Sequence, residues 1–181
     1  MVKKDIQETV KLPAGVKVSV EGTKIHIQGP KGKVTKNFDN PNVEVKTEGG
    51  DVILSATAPA KKVKAVLNSY KAHLKNAFIG VVSSYAYKLK ICSGHFPMTV
   101  AVSGQNLVIK NFLGEKVPRQ VALKSGVSVK VDGAFVLVDG PDKDLAGQVA
   151  ADIEQSTRRP GFDRRIFQDG IYIIEKAGKE I

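Results

Sequence analysis

The pattern Val18-x-Val20-x-Gly22-x-x-Ile25-x-Ile27 returns as Val100-x-Val102-x-Gly104-x-x-Leu107-x-Ile109, a constant offset of 82 residues. So many positions in one register make chance a poor explanation, and the chain reads as one structural unit used twice. In each copy the alternating Val, Ile and Leu residues have the two-residue period of a half-buried strand, and the glycine marks a tight turn between two such strands. Gly32 maps onto Gly114 in the same register. With a small slip, Val43-Glu44-Val45 falls on Val127-Ser128-Val129, and Gly50-Asp51-Val52-Ile53-Leu54 on Gly133-Ala134-Phe135-Val136-Leu137. The expected fold is α+β: two tandem repeats of a small antiparallel sheet packed against one helix, the product of an internal duplication. The first repeat is expected over residues 1–82 and the second over 83–181.

Residues 16–55 read as a meander of short strands, and from Pro59 the period changes. Val63, Val66, Leu67, Tyr70, Leu74, Ala77 and Phe78 then fall on one face of a helix, with Lys61, Lys62, Lys64, Lys71 and Lys75 off it. In the second copy Pro141 suits a first helical position and Leu145, Val149 and Ile153 form the expected apolar stripe. Asp142 and Asp144 complement the positive end of that helix dipole, Arg158 and Arg159 the negative end, and Pro160-Gly161 stops the helix. Ser83 to Ile91 reads as the first strand of the second copy, with Ile6 to Leu12 its weaker counterpart. Asp169-Gly170 opens a last strand through Ile171 and Ile173.

A formal net charge of +10 asks for a polyanionic partner. Nucleic acid is the first candidate and an anionic membrane surface the second. No apolar run reaches the roughly 18 residues a bilayer span needs. Met1-Val2-Lys3-Lys4-Asp5 turns polar where a secretory signal turns apolar, so a soluble intracellular protein is expected. Cys92 stands alone, which leaves no disulfide framework and no paired-thiol metal knuckle. His26, His73 and His95 lack a second ligand at metal spacing, and His95 near Cys92 reads as a turn residue without the orienting group that nucleophilic catalysis needs. Gly29-Pro30-Lys31-Gly32-Lys33 lacks the spacing of a phosphate loop and reads as a basic hairpin turn. Asp132, Asp139 and Asp169 sit near glycines, where turns want them. Neither an enzyme nor a bound metal, cofactor or small-molecule substrate is expected.

Function concentrates in Arg158-Arg159-Pro160-Gly161-Phe162-Asp163-Arg164-Arg165-Ile166-Phe167-Gln168-Asp169-Gly170-Ile171-Tyr172. Two arginine pairs flank a Pro-Gly turn, and each guanidinium is a planar fork of donors that fits phosphate and stacks on flat rings. Phe162 and Phe167 lie among them. Cations and aromatics on one constrained loop suit folded RNA, which offers phosphates, 2′-hydroxyls and splayed bases together. After Phe78 the first copy runs through Gly80 into Ser83-Ser84 with no arginines, so the loop is an addition to the repeated scaffold.

The duplicated unit, His95-Phe96-Pro97-Met98-Thr99-Val100 at the junction, and Phe162-Asp163-Arg164-Arg165-Ile166-Phe167-Gln168-Asp169-Gly170-Ile171-Tyr172 closely resemble the large-subunit ribosomal protein six family, in its archaeal and eukaryotic branch. The resemblance covers essentially the whole chain; the Lys-Gly-Lys-Gly-Ile-Arg-Tyr type of ending found in bacterial members is absent. It implies a non-enzymatic cytoplasmic constituent of the large ribosomal subunit. The second repeat would bind 23S-type rRNA near the sarcin-ricin loop, among neighbouring ribosomal proteins and close to where translation factors dock. Carried over by position, rRNA contact falls on Arg158, Arg159, Arg164, Arg165, Gln168 and Tyr172, with Lys176 and Lys179 of the tail. Gly161 and Gly170 would supply backbone geometry. The competing reading is a nucleic-acid-binding module that acts outside the ribosome.

Overall fold

A computed structural model describes residues 6–48, 51–56, 60–163 and 165–181. The chain divides into two compact units, Met1–Ser84 and Tyr85–Ile181. Pro59, Gly49, Gly50 and Met1 to Asp5, which the sequence reading used, lie outside the described residues.

The first unit contains β1 (Ile6–Val10), β2 (Lys17–Glu21), β3 (Lys24–Gly29), β4 (Gly32–Asn37), β5 (Val43–Glu48), β6 (Asp51–Ala56) and helix α1 (Lys61–Val82). Its strands are not one meander: they form two antiparallel sheets, ordered β2-β3-β4 and β1-β6-β5. Ile25 and Ile27 of β3 and Val52 and Leu54 of β6 point inward with no exposed surface, as the two-residue period requires. Helix α1 lays Leu67, Leu74, Ala77, Phe78 and Val81 against them, and Tyr70 stacks on Phe38 with ring centroids 4.3 Å apart. The segment Gly29 to Gly32 is a hairpin turn, as expected, and it packs on the end of α1: the Lys31 N–H donates to the Val81 carbonyl at 2.9 Å.

The second unit contains β7 (Tyr85–Cys92), β8 (Thr99–Ser103), β9 (Asn106–Lys110), a short 3-10 turn (Phe112–Gly114), β10 (Arg119–Ala122), β11 (Ser128–Asp132), β12 (Phe135–Gly140), α2 (Lys143–Ser156), β13 (Gly170–Lys176) and β14 (Lys179–Glu180). The repeated hairpin holds residue by residue. Val18 pairs with Ile27 and Val20 with Ile25, while Val100 pairs with Ile109 and Val102 with Leu107. Gly22 and Gly104 take φ of +62° and +61° at the first turn position, the left-handed region open to glycine.

Two alignments need correction. Val45 pairs with Leu54 and Val129 with Val138, so Leu54 corresponds to Val138 and Val52 to Val136, one residue beyond the expected Leu137 and Phe135. A one-residue slip exchanges the two faces of a strand, and burial of Val136 and Val138 settles the register. Beyond the first hairpin the copies also diverge. Ile27 pairs with Val34, seven residues on, but Ile109 pairs with Arg119, ten residues on. The second copy therefore carries three more residues here, around the 3-10 turn, and Gly32 and Gly114 occupy different structures.

Helix α2 differs in both ends and face from the sequence reading. Asp142, not Pro141, opens it: the Asp142 carboxylate accepts the Asp144 N–H at 3.0 Å. The helix ends at Ser156, before both arginines. Its buried residues are Ala146, Val149, Ala150 and Ile153, whereas Leu145 is 37 % exposed. Small residues face inward because the helix lies close to Tyr87, whose hydroxyl donates to the Lys143 carbonyl at 3.2 Å and sits 3.0 Å from where a Cβ on Gly147 would be.

The larger sheet of this unit runs β11-β12-β7-β13-β14. Strand β7 pairs with β12 as β1 pairs with β6, and β13 adds on its other side. This extra strand places the arginine loop, which joins α2 to β13.

Candidate nucleic-acid interface

Residues 157–169 connect a helix end to a strand, and both anchors are built from side-chain hydrogen bonds. Thr157, buried, donates its hydroxyl to the Glu154 carbonyl at 3.0 Å and accepts the Ile171 N–H at 3.0 Å. Glu154 Oε1 accepts the Ile173 N–H, also at 3.0 Å. The last turn of α2 thus satisfies backbone donors that β13 turns away from β7. Inside the loop the Asp163 carbonyl accepts the Ile166 and Phe167 N–H groups, a tight turn that lifts Arg165 and Ile166 outward.

Asp169 holds the far end. Its side chain is 4 % exposed; Oδ1 accepts the Gly94 N–H at 2.7 Å and the His95 N–H at 3.0 Å, and Oδ2 meets His95 Nδ1 at 2.5 Å. Burial pushes this carboxyl up, but the His95 N–H, the His95 ring and the Gly94 N–H together outweigh it and hold the group below its ordinary range. Asp169 and His95 are therefore more than the turn residues expected. The His95 ring stacks on Phe167 (centroids 4.8 Å), Phe167 meets Phe162 edge to face (4.9 Å), and the Arg159 guanidinium sits 4.6 Å over Phe162.

The row continues into the segment that the second copy lengthened. Arg159 Nη1 lies 2.5 Å from Glu115 Oε1. The same carboxylate takes both forks of Arg119, at 2.8 and 2.6 Å, while Arg119 Nη1 donates to the Ser156 carbonyl and its guanidinium covers buried Phe112. The Arg119 guanidinium, with Arg159 beside it, holds the Glu115 carboxyl below its usual range against the opposing effect of burial. Asn111 and Leu113 in this segment have φ of +59° and +47°. A leucine there is held against a cost of roughly 1–3 kcal/mol.

Between the two segments opens a cleft of about 490 Å³. It is lined by Leu113, by Arg158, Arg159, Phe162 and Phe167 of the loop, and by Asp169 and Tyr172. Of the expected residues, Arg158, Arg159, Gly161 and Tyr172 line it. The Tyr172 ring lies across Gly170, where an added Cβ would be 3.1 Å from it. Arg165 stands outside: its side chain is 90 % exposed, with Nε and Nη2 on Asp163 at 3.2 and 3.0 Å. Gln168 donates to the Arg165 carbonyl at 3.3 Å, bracing the turn. Arg164 lies outside the described residues. Gly161 takes φ +85° in the open turn after Pro160. Lys176 and Lys179 pair across the final hairpin, about 20 Å along β13 from Gly170 at strand rise, so they do not join the cleft.

The reading from residues alone missed Glu115, Arg119 and Phe112. The i, i+4 spacing of Glu115 and Arg119 was the available signal; nothing local joins Asp169 to Gly94 and His95, 74 or more residues away. Among the described residues no three His, Cys, Asp or Glu side chains group as metal ligands, and no helix is long and apolar enough to cross a membrane. The carboxylates lining the cleft, Glu154 and Asp169, are occupied with backbone donors and His95.

By fold and surface this is a duplicated α+β protein whose second copy carries, on its arginine loop, a cleft lined by cations and aromatic rings. A family model described as ribosomal protein L6 matches residues 12–83 and again 96–170, one match per copy. The chain is 42 % identical to the large ribosomal subunit protein uL6 of Methanococcus vannielii over 174 residues, 96 % of each chain. It is 44 % identical to the large ribosomal subunit protein uL6 of Methanosarcina mazei over 174 residues, 96 % of this chain and 99 % of that one. The chain belongs to the ribosomal protein L6 family. Both relatives are named as proteins of the large ribosomal subunit.

Proposed function

We propose that the chain is built into the large ribosomal subunit and holds 23S-type rRNA through its second unit, near the sarcin-ricin loop and the region where translation factors dock. The observation that carries the ribosomal reading is the 42 % and 44 % identity, over 96 % of this chain, to two large-subunit proteins. Support for RNA contact by this end is the grouping of Arg158, Arg159, Arg165 and the aromatic row on a loop anchored at both sides, in a chain of net charge +10. The location beside the sarcin-ricin loop rests on the resemblance in the motif from Phe162 to Tyr172. Neighbouring ribosomal proteins would meet the remaining surface.

The contacting set divides by geometry. Arg158 and Arg165 are exposed and serve as phosphate contacts; Arg159 is half-buried on Glu115 and Phe162 and braces the cleft. The pair between Arg165 and Asp163 is exposed, so RNA phosphate can displace the carboxylate at little cost. Gln168 and Tyr172 shape the loop and cleft, and Lys176 and Lys179 add positive charge farther along β13.

Large-subunit pellets prepared in moderate salt should contain the protein; a protein that stays in the supernatant would sink the ribosomal reading. With isolated large-subunit rRNA, about four phosphate contacts give a log-log salt slope of roughly −3 to −4. The double variant Arg158→Ala/Arg165→Ala should flatten it by about 2, one per arginine, and weaken binding roughly ten-fold or more at low salt, with an unchanged melting midpoint. An unaltered slope would remove these two residues from the interface.

A further inference from the structure

The cleft has a feature that phosphate binding does not need. Phosphate binding needs cations and N–H donors but no stacked rings, yet here four planar groups run in a row: His95, Phe167, Phe162 and Arg159. The two members at the Arg159 end of the row are open at the cleft, Phe162 at 38 % and the Arg159 side chain at 36 % exposure. Glu115 fixes Arg159 in place, so the guanidinium is presented already oriented. Leu113, held in a left-handed conformation that leucine ordinarily avoids, also lines the cleft and lies in the segment that the second copy lengthens. An apolar side chain, aromatic rings and an oriented guanidinium are the surroundings of a flat, uncharged ring.

We propose that this cleft receives an unstacked nucleobase of the bound RNA, held against Arg159 and Phe162 with Leu113 as a further apolar contact. The inference rests on the RNA-binding reading above and adds to it the ligand of this particular cavity. Bases splayed from loops and bulges are held by stacking on aromatic side chains and on Arg guanidinium planes. Stacking accepts any of the four bases because each has a π-face. The polar groups near the cleft fit this too: the Asp169 oxygens are taken by Gly94 and His95, and Glu154 Oε1 is bonded to a backbone N–H. The base is held chiefly by stacking, and the phosphates on either side of it fall to Arg158 and Arg165.

The test is photochemical. The full-length protein is bound to protein-free large-subunit rRNA, irradiated with short-wave ultraviolet light, and digested with nuclease and trypsin. Nucleotide adducts are expected on the peptide holding Phe162 or on the one holding Phe167 and Tyr172. Adducts confined to other peptides, with the RNA still bound, would overturn the proposal. Phe162→Leu supplies a second arm, since it keeps apolar contact with Phe167 but removes the aromatic face. Its affinity should fall roughly ten-fold with no change in salt slope. Unchanged affinity, or a slope that flattens as for Arg158→Ala, would also overturn it. If the unmodified protein binds no rRNA at all, the base site falls together with the reading on which it rests.

Discussion

Asp169→Ala should unpin the arginine loop and lower the stability of the second unit by about 2–3 kcal/mol. The substitution leaves the Gly94 and His95 N–H groups and the His95 ring without the acceptor they share, and losing the partner of such groups costs roughly 1–3 kcal/mol. For a unit of this size that is a fall of about 10–15 °C in melting midpoint. The consequence for RNA is larger than for any single arginine. His95 stacks on Phe167, Phe167 braces Phe162, and Phe162 carries Arg159, so releasing one end loosens every member of the row. Affinity for large-subunit rRNA should fall by about thirty-fold or more, the same free energy drawn on to reorder the loop. Asp169→Asn keeps an acceptor for the N–H groups and should fall between the two.

The pH dependence gives this prediction a sign. The folded protein holds the Asp169 carboxyl below its ordinary range, so the unfolded chain binds the proton more tightly. Stability from this group is complete above the unfolded value near pH 4 and is lost as pH falls through the lower folded value. The melting difference between the natural protein and Asp169→Ala should be constant from neutral pH down to about pH 4.5 and shrink below it. A difference that persists undiminished under strongly acid conditions would mean that the carboxylate is not the fastener.

What could be seen of this in the chain itself depended on sequence distance. The paired hairpins were legible because their signal is local and doubled: alternating β-branched residues, a turn glycine and the same spacing twice. The face of α1 was legible because its large apolar residues recur at helical spacing. The face of α2 misled because Leu145 outweighs Ala146 by size, although the close approach of the helix to Tyr87 admits alanine and leaves leucine at the margin. The arginines of the loop announced themselves by composition. Their supports did not: Asp169 reaches Gly94 and His95 across the whole unit, and Glu115 meets Arg159 from 44 residues away. Periodicity reports which side of an element is buried, and it is silent on which distant turn a loop is fastened to.

Gly29→Ala is expected to damage the first unit as strongly as Asp169→Ala damages the second. A Cβ at Gly29 would stand 2.7 Å from the Val81 carbonyl oxygen and 2.8 and 2.9 Å from Val81 Cγ2 and Cβ. Two of these obstacles cannot rotate away. The carbonyl belongs to the last turn of α1 and already accepts the Lys31 N–H, and Val81 is wholly buried. Either the hairpin from β3 to β4 or the end of α1 must shift, and forcing atoms into packed space costs roughly 1–3 kcal/mol, with a lost hydrogen bond in addition. The same glycine reads, in isolation, as part of a basic turn; its importance lies in how closely that turn approaches the helix. Hydrogen exchange should show accelerated exchange in β3, β4 and the last turns of α1, with protection in the second unit and the rRNA salt slope both unchanged. Equal loss of protection in residues 85–181 would show that the two units do not unfold independently. The duplication would then have produced one cooperative body, and the arginine loop would depend on a copy of the fold that carries no such loop of its own.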